Sequence, residues 1–133
     1  MPSTYQSYTK IPLSGAATGL GILVASTGPS GTAGTTIHTA VAGSASVDEI
    51  VLYASSTSAF SYTPQLLTLQ WGAVAVSGSV YPDEIRYDIP FTANGMTLIV
   101  SGLLLNGGLV LTAFSSTANA INLHGFVNRI ALV

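Results

Sequence analysis

Apolar and polar positions along most of this chain alternate with a period of two, the repeat of a strand whose successive side chains point to opposite faces. The stretch "QLLTLQWG", residues 65–72, sets Leu67, Leu69 and Trp71 against Leu66, Thr68 and Gln70, with the heavy face toward a core. "DEIRYDIPF", residues 83–91, is the most regular case, with Ile85, Tyr87 and Ile89 alternating with Glu84, Arg86 and Asp88. In "TTIHTAVA", residues 35–42, Ile37, Thr39 and Val41 share one face and Thr36, His38 and Ala40 the other. "SVDEIVLYAS", residues 46–55, mixes its faces at Val47, Ile50, Leu52 and Tyr53, and a bulge near Asp48 and Glu49 would reconcile them. These two stretches, parted by Gly43 and Ser44, read as a hairpin.

"MTLIVSGLLL" (96–105) and "LVLTAFSS" (109–116) flank Asn106, Gly107 and Gly108. The run is nearly long enough to cross a bilayer, but the glycines and the asparagine interrupt it, and Asn-Gly between apolar segments is the strongest short-range hairpin signal. A hairpin is therefore expected here. "GLGILVAS" (19–26) reads as a short strand before a Gly/Pro/Ser loop at 27–35, and "AVAVSGSV" (73–80) as an extension of the strand before it or a further short one. In "AINLHGFVNRIALV" (120–133), Phe126 falls out of phase with Ile121 and Leu123, so Gly125 is expected to mark a bulge or bend. Residues 1–18 have no clear period and read as an arm or a first edge strand. The expected organisation is an extended N-terminal arm over 1–18 and one domain over 19–133. About eight strands, no convincing helix and turn signals every ~8–14 residues predict an all-β, single-domain antiparallel β-sandwich of jelly-roll or immunoglobulin-like type. Periodicity does not reveal which strand order is used.

Composition sharpens this picture through one deficit. Charged residues make up 6% of the 133 positions, against roughly 25% in ordinary soluble domains. A surface so poor in charge repels neutral surfaces weakly, and such a protein tends to live in contact with another. The net charge of −2 offers no basic patch for phosphate, so nucleic acid is not an expected partner. The chain contains no cysteine, which removes disulfides and thiolate metal sites. "MPSTYQSYTKIPLSG" lacks the basic start and apolar core of a secretory signal, so neither that export route nor a membrane is expected.

Candidate chemistry is sparse. His38 and His124 are the two histidines, and a Ser-His-Asp set could be imagined from His38, Asp48 and a serine, yet no G-x-S-x-G elbow is present. Both read as satisfied polar positions or interface residues. The carboxylates Asp48, Glu49, Asp83, Glu84 and Asp88 lack the spacing of a calcium loop, and a glycosidase pair has no supporting aromatic cleft, since Trp71, the one tryptophan, reads as core. No catalytic, metal or cofactor residue is therefore assigned, and no enzyme activity is expected. Arg86 is placed for weak surface pairing with Glu84 and Asp88. Arg129, alone in an apolar terminus, is expected to make a structural ion pair.

Three phrases carry a resemblance: "TTIHTAVAGSASVDEIVLYASSTSA", "TLQWG" and "IPFTANGMTLIVSGLLLNGGLVLTAFSSTANAINLHGFVNRI". In their order they resemble small virion structural proteins of tailed bacteriophages, over roughly residues 35–133. The resemblance implies a capsid decoration, or cement, protein on the outside of the head, commonly a homotrimer, assembled in the host cytoplasm with the major capsid protein as partner. A tail, neck or fibre component, or a receptor- or glycan-binding module, stays open beside it. The arm residues Tyr5, Tyr8, Lys10 and Ile11 are the expected capsid contacts, and the apolar strands around Leu103 to Leu111 the core or the oligomer interface.

Overall fold

The computed structural model describes residues 8–28, 34–57, 64–73, 83–89 and 95–132. Among these residues nine strands run in chain order as β1 (Tyr8–Pro12), β2 (Ile22–Leu23), β3 (Thr35–Thr39), β4 (Ser46–Ser56), β5 (Gln65–Ala73), β6 (Glu84–Ile89), β7 (Thr97–Leu105), β8 (Val110–Ser115) and β9 (Ile121–Ala131). Among the described residues the helical content is one 3-10 turn at Ser14–Ala16. A five-stranded sheet has the order β1-β9-β4-β7, with β2 further along β9, and a four-stranded sheet the order β3-β8-β5-β6. The protein is thus an antiparallel β-sandwich.

The pairings are nested: β1 and β2 with β9, β3 with β8, β4 with β7 and β5 with β6. A chain paired in this way is one long hairpin rolled up so that its arms lie alternately in two sheets, which is the jelly-roll order. Among the described strands only β5 and β6 are both consecutive and hydrogen-bonded to each other, whereas an immunoglobulin-like order would pair further neighbours in sequence. Two expected hairpins are corrected by this topology. The stretches at 35–42 and 46–55 lie in opposite sheets, and so do β7 and β8. Gly107 and Gly108 do take the positive φ of a tight turn, both at 70°, but the turn is a crossover. It is held to the neighbouring β3–β4 crossover by Gly107 N donating to Gly43 O at 3.0 Å and Gly108 N to Val41 O at 2.9 Å.

Residues 1–18 are not separate from the sandwich over their described part, because Tyr8–Pro12 is the edge strand along β9, from Tyr8 opposite Ile130 to Pro12 opposite Phe126. The chain then leaves β9, tucks Leu13 into the core and returns as β2 opposite Leu123 and Asn122. The expected extension at 74–80 lies outside the described residues.

The core is formed by the inward faces of β4, β5, β8 and β9, with Ile50, Leu52, Leu67, Leu69, Leu111, Leu123 and Val127 fully buried. Each such side chain contributes about 1.5–3 kcal/mol through burial. On β6 the inward residues are Ile85, Tyr87 and Ile89, as its alternation predicts. Elsewhere bulges redirect side chains. Ile37 is the extra residue of a bulge between Thr36 and His38, so Ile37 and His38 are both buried instead of facing apart. On β7, Ile99 and Gly102 are extra against β4, and Gly102 takes φ 91°. By contrast β4 and β9 pair without a break from Ser46 opposite Ala131 to Ser56 opposite Ile121. The bulges expected at Asp48–Glu49 and at Gly125 are therefore absent from that ladder. Gly125 is required for another reason: a Cβ there would overlap the Val51 carbonyl oxygen. Phe126 keeps its phase by pointing to the outer face.

Candidate functional site

Unbroken alternation in β4 has a price in charge. With Ile50, Leu52 and Ala54 inward, Asp48 is inward too, and its side chain has no exposed surface. An isolated carboxylate there would be strongly unfavourable, yet four donors surround it. Arg129 on β9, its cross-strand neighbour, donates from Nε to Oδ1 at 2.7 Å and from Nη2 to Oδ2 at 2.9 Å. Oδ2 also accepts from the Val41 amide at 3.0 Å and from His38 Nε2 at 2.7 Å. Burial pushes the Asp48 carboxyl up, but the hydrogen bonds from Arg129, His38 and Val41 together outweigh it and hold the group below the ordinary carboxylate range. The bond to Asp48 in turn raises Arg129 above its usual value.

The tautomer of His38 follows from its other partner. Ser14 N donates to Nδ1 at 3.1 Å, so Nδ1 carries the lone pair and Nε2 the proton given to Asp48. This differs from a catalytic triad, in which the imidazole lone pair faces the nucleophile's hydroxyl. Here the lone pair is occupied by an amide, and Ser14 Oγ accepts from Thr39 N at 2.7 Å. The cluster joins β3 of one sheet to β4 and β9 of the other and fastens the excursion after β1. It acts as a clamp. Among the described residues no group of three His, Asp or Glu side chains stands close enough to hold a metal ion.

The surface tells the other half. No Asp, Glu, Lys or Arg occurs between Asp88 and Arg129, and within that run β7, the edge of the five-stranded sheet, leaves Leu98 49%, Leu103 44% and Leu104 55% exposed, with Met96 just before it at 57%. Of the strands around Leu103 to Leu111, Leu105 and Leu111 belong to the core, while Leu103, Leu104 and Leu109 face solvent. The edge strand β6 is different: Glu84, Arg86 and Asp88 are exposed, and Arg86 Nη2 donates to Glu84 Oε1 at 3.2 Å.

The remaining sequence-derived candidates are scattered. Tyr8 and Lys10 stand on the outer face of β1, Ile11 turns inward against the core, and Tyr5 lies outside the described residues. Trp71 is buried and its Nε1 donates to the Leu104 carbonyl at 3.2 Å, so it is not available as a sugar platform. His124 lies against Gly21, where a Cβ would overlap its ring, and among the described residues its Nδ1 has no hydrogen-bond partner. Sequence reasoning set Asp48 beside His38 but missed that it is buried and is the partner of Arg129. The signal was present, since Val47, Ile50, Leu52 and Tyr53 cannot share one face of an unbroken strand, and keeping Ile50 and Leu52 inside forces Asp48 inside. Comparison with protein-family models, with curated proteins and with solved structures found no match for this chain.

Proposed function

We propose that this chain is a non-enzymatic structural protein of a tailed-phage particle, a decoration protein that binds the outside of the head and bridges adjacent major-capsid subunits. The observation that carries the reading is the β7 edge. Among the described residues β7 is an edge strand that exposes leucines and carries no charged residue of its own, and such an edge is a liability for a free protein and a contact surface for an assembled one. The resemblance of residues 35–133 to phage virion proteins points the same way, and the jelly-roll order is one that viral coat proteins use. Many weak apolar contacts repeated over a lattice hold by avidity, with no strong individual interface. The Leu98, Leu103 and Leu104 margin is the head contact in this account.

The test is co-sedimentation of the purified chain with separated heads and tails of the phage that encodes it. Saturable binding to heads, at hundreds of copies, is the expected result. A few copies on tails would favour a tail or neck role, and no binding to either would overturn the virion reading. A glycan-binding role has lost its best candidate platform with Trp71 inside the fold.

A further inference from the structure

Strand β9 is the centre of a small pattern on the outer face of the five-stranded sheet. Register places Tyr8 beside Ile130, Lys10 beside Asn128 and Pro12 beside Phe126 on one flank. On the other, Glu49 lies beside Asn128 and Val51 beside Phe126. Lys10 and Glu49 thus occupy one row, on either side of Asn128, and are the two charged residues of this face. They are two strand spacings apart, about 9.5 Å between backbones. Among the described residues neither has an ion-pair partner. Lys10 Nζ instead rests 4.4 Å from the centre of the Phe126 ring, and Glu49 Oε1 accepts from Asn128 Nδ2 at 3.0 Å. Both charges are held in place and both remain unmatched.

A row that reads plus, neutral, minus is complementary to itself when reversed. We infer that the outer face of the five-stranded sheet binds a second copy of this chain across a two-fold axis running along β9, with Lys10 of each copy against the partner's Glu49. Such an axis exchanges the β1 and β4 flanks. Asn128 and Phe126 then meet their own counterparts, Pro12 meets the partner's Val51, and Tyr8, 65% exposed in one copy, is covered. This is an isologous contact, in which one patch serves both sides. Packed sheets usually cross at about 30°, which the axis provides by tilting about 15° from β9. The apolar rows on either side of the charged row supply the area, and the two reciprocal ion pairs fix orientation and register.

Because β7 lies one strand beyond β4, the exchange carries it past the partner's β1, and Leu98 and Leu104 stay uncovered on both flanks. The two-fold contact stands on this face alone. That it gives the particle two head-binding margins, and so makes a bridge, rests on the function proposed above. It departs from the homotrimer that the resemblance implies.

The experiment is sedimentation equilibrium of the full chain as wild type, Lys10→Glu, Glu49→Lys and the double swap, each with its thermal melting recorded to establish folding. Wild type is expected to be a dimer, each single swap to raise the dimer dissociation constant at least ten-fold while melting cooperatively, and the double swap to restore the dimer. A wild-type monomer, a trimer, or a double swap no better than the singles would overturn the inference. Head co-sedimentation separates the two claims. Rescue of the dimer without binding of any variant to heads would leave the dimer standing and remove the head reading.

Discussion

Around Asp48 one carboxylate is enclosed by four hydrogen bonds from Arg129, His38 and Val41, whereas along β7 leucines face solvent with no charged residue anywhere between Asp88 and Arg129. In most small domains the placement is reversed, with charge outside and leucine inside. The difference teaches that the two regions are under different demands. Asp48, bonded to Arg129 in its own sheet and to His38 in the other, joins the two sheets in a single way, whereas the exposed leucines of β7 stand on a strand with no charged residue of its own. The edge strand β6, with Glu84, Arg86 and Asp88 exposed, shows that this chain can guard an edge. β7 carries no such residue.

The contrast is broken most severely by removing the buried carboxylate. Asp48→Ala leaves Arg129 and His38 without their acceptor, and breaking a buried pair from one side costs about 3–5 kcal/mol; urea denaturation should show a loss in that range. Replacing Arg129 by Met should cost somewhat less, about 2–3 kcal/mol, because the Asp48 carboxylate keeps its hydrogen bonds from His38 and Val41.

Acid sharpens the comparison further. The folded Asp48 carboxyl titrates below the 3.8 of a free one, so on acidification the unfolded chain takes up this proton first. The stability contributed by Asp48 is therefore complete above that value and is lost as pH falls through it toward the folded one. Urea midpoints of wild type and Asp48→Asn should accordingly differ most near neutral pH and converge below about pH 4. An undiminished gap at pH 3 would mean that Asp48 is not the carboxylate being clamped.

The smallest expected effect on stability lies on the other side of the contrast. Leu98→Lys and Leu104→Lys add a charge to an exposed edge and should shift stability by no more than about 0.5 kcal/mol. Head binding should nevertheless fall below detection in co-sedimentation. A protein that unfolded on Leu104→Lys would place that residue in the core instead.

How much of this was legible in the sequence differs between the two regions for physical reasons. Period two identified the strands, and on β5 and β6 it also identified the face that enters the apolar core, because those strands pair in step over Leu67, Leu69, Ile85 and Ile89; that Thr68 and Gln70 on the other face of β5 are buried too was not legible in it. It could not give strand order, so the Asn106–Gly108 turn read as a hairpin although its backbone hydrogen bonds go to the next crossover. Nor could it place bulges. A bulge is a property of two strands together, and the extra Ile37 opposite β8 decides that His38 faces Asp48. The bare surface of β7 was foreshadowed by the low charge of the chain, but which leucines are outside depends on the edge position and on the bulges at Ile99 and Gly102.

The central claim is that these neutral contacts hold a head together, and the most direct measurement is the temperature at which purified heads release their DNA, with and without saturating protein. The account predicts that the protein raises the release temperature and that the Leu98→Lys, Leu104→Lys double variant does not. A release temperature unmoved by protein that is bound at saturation would contradict it.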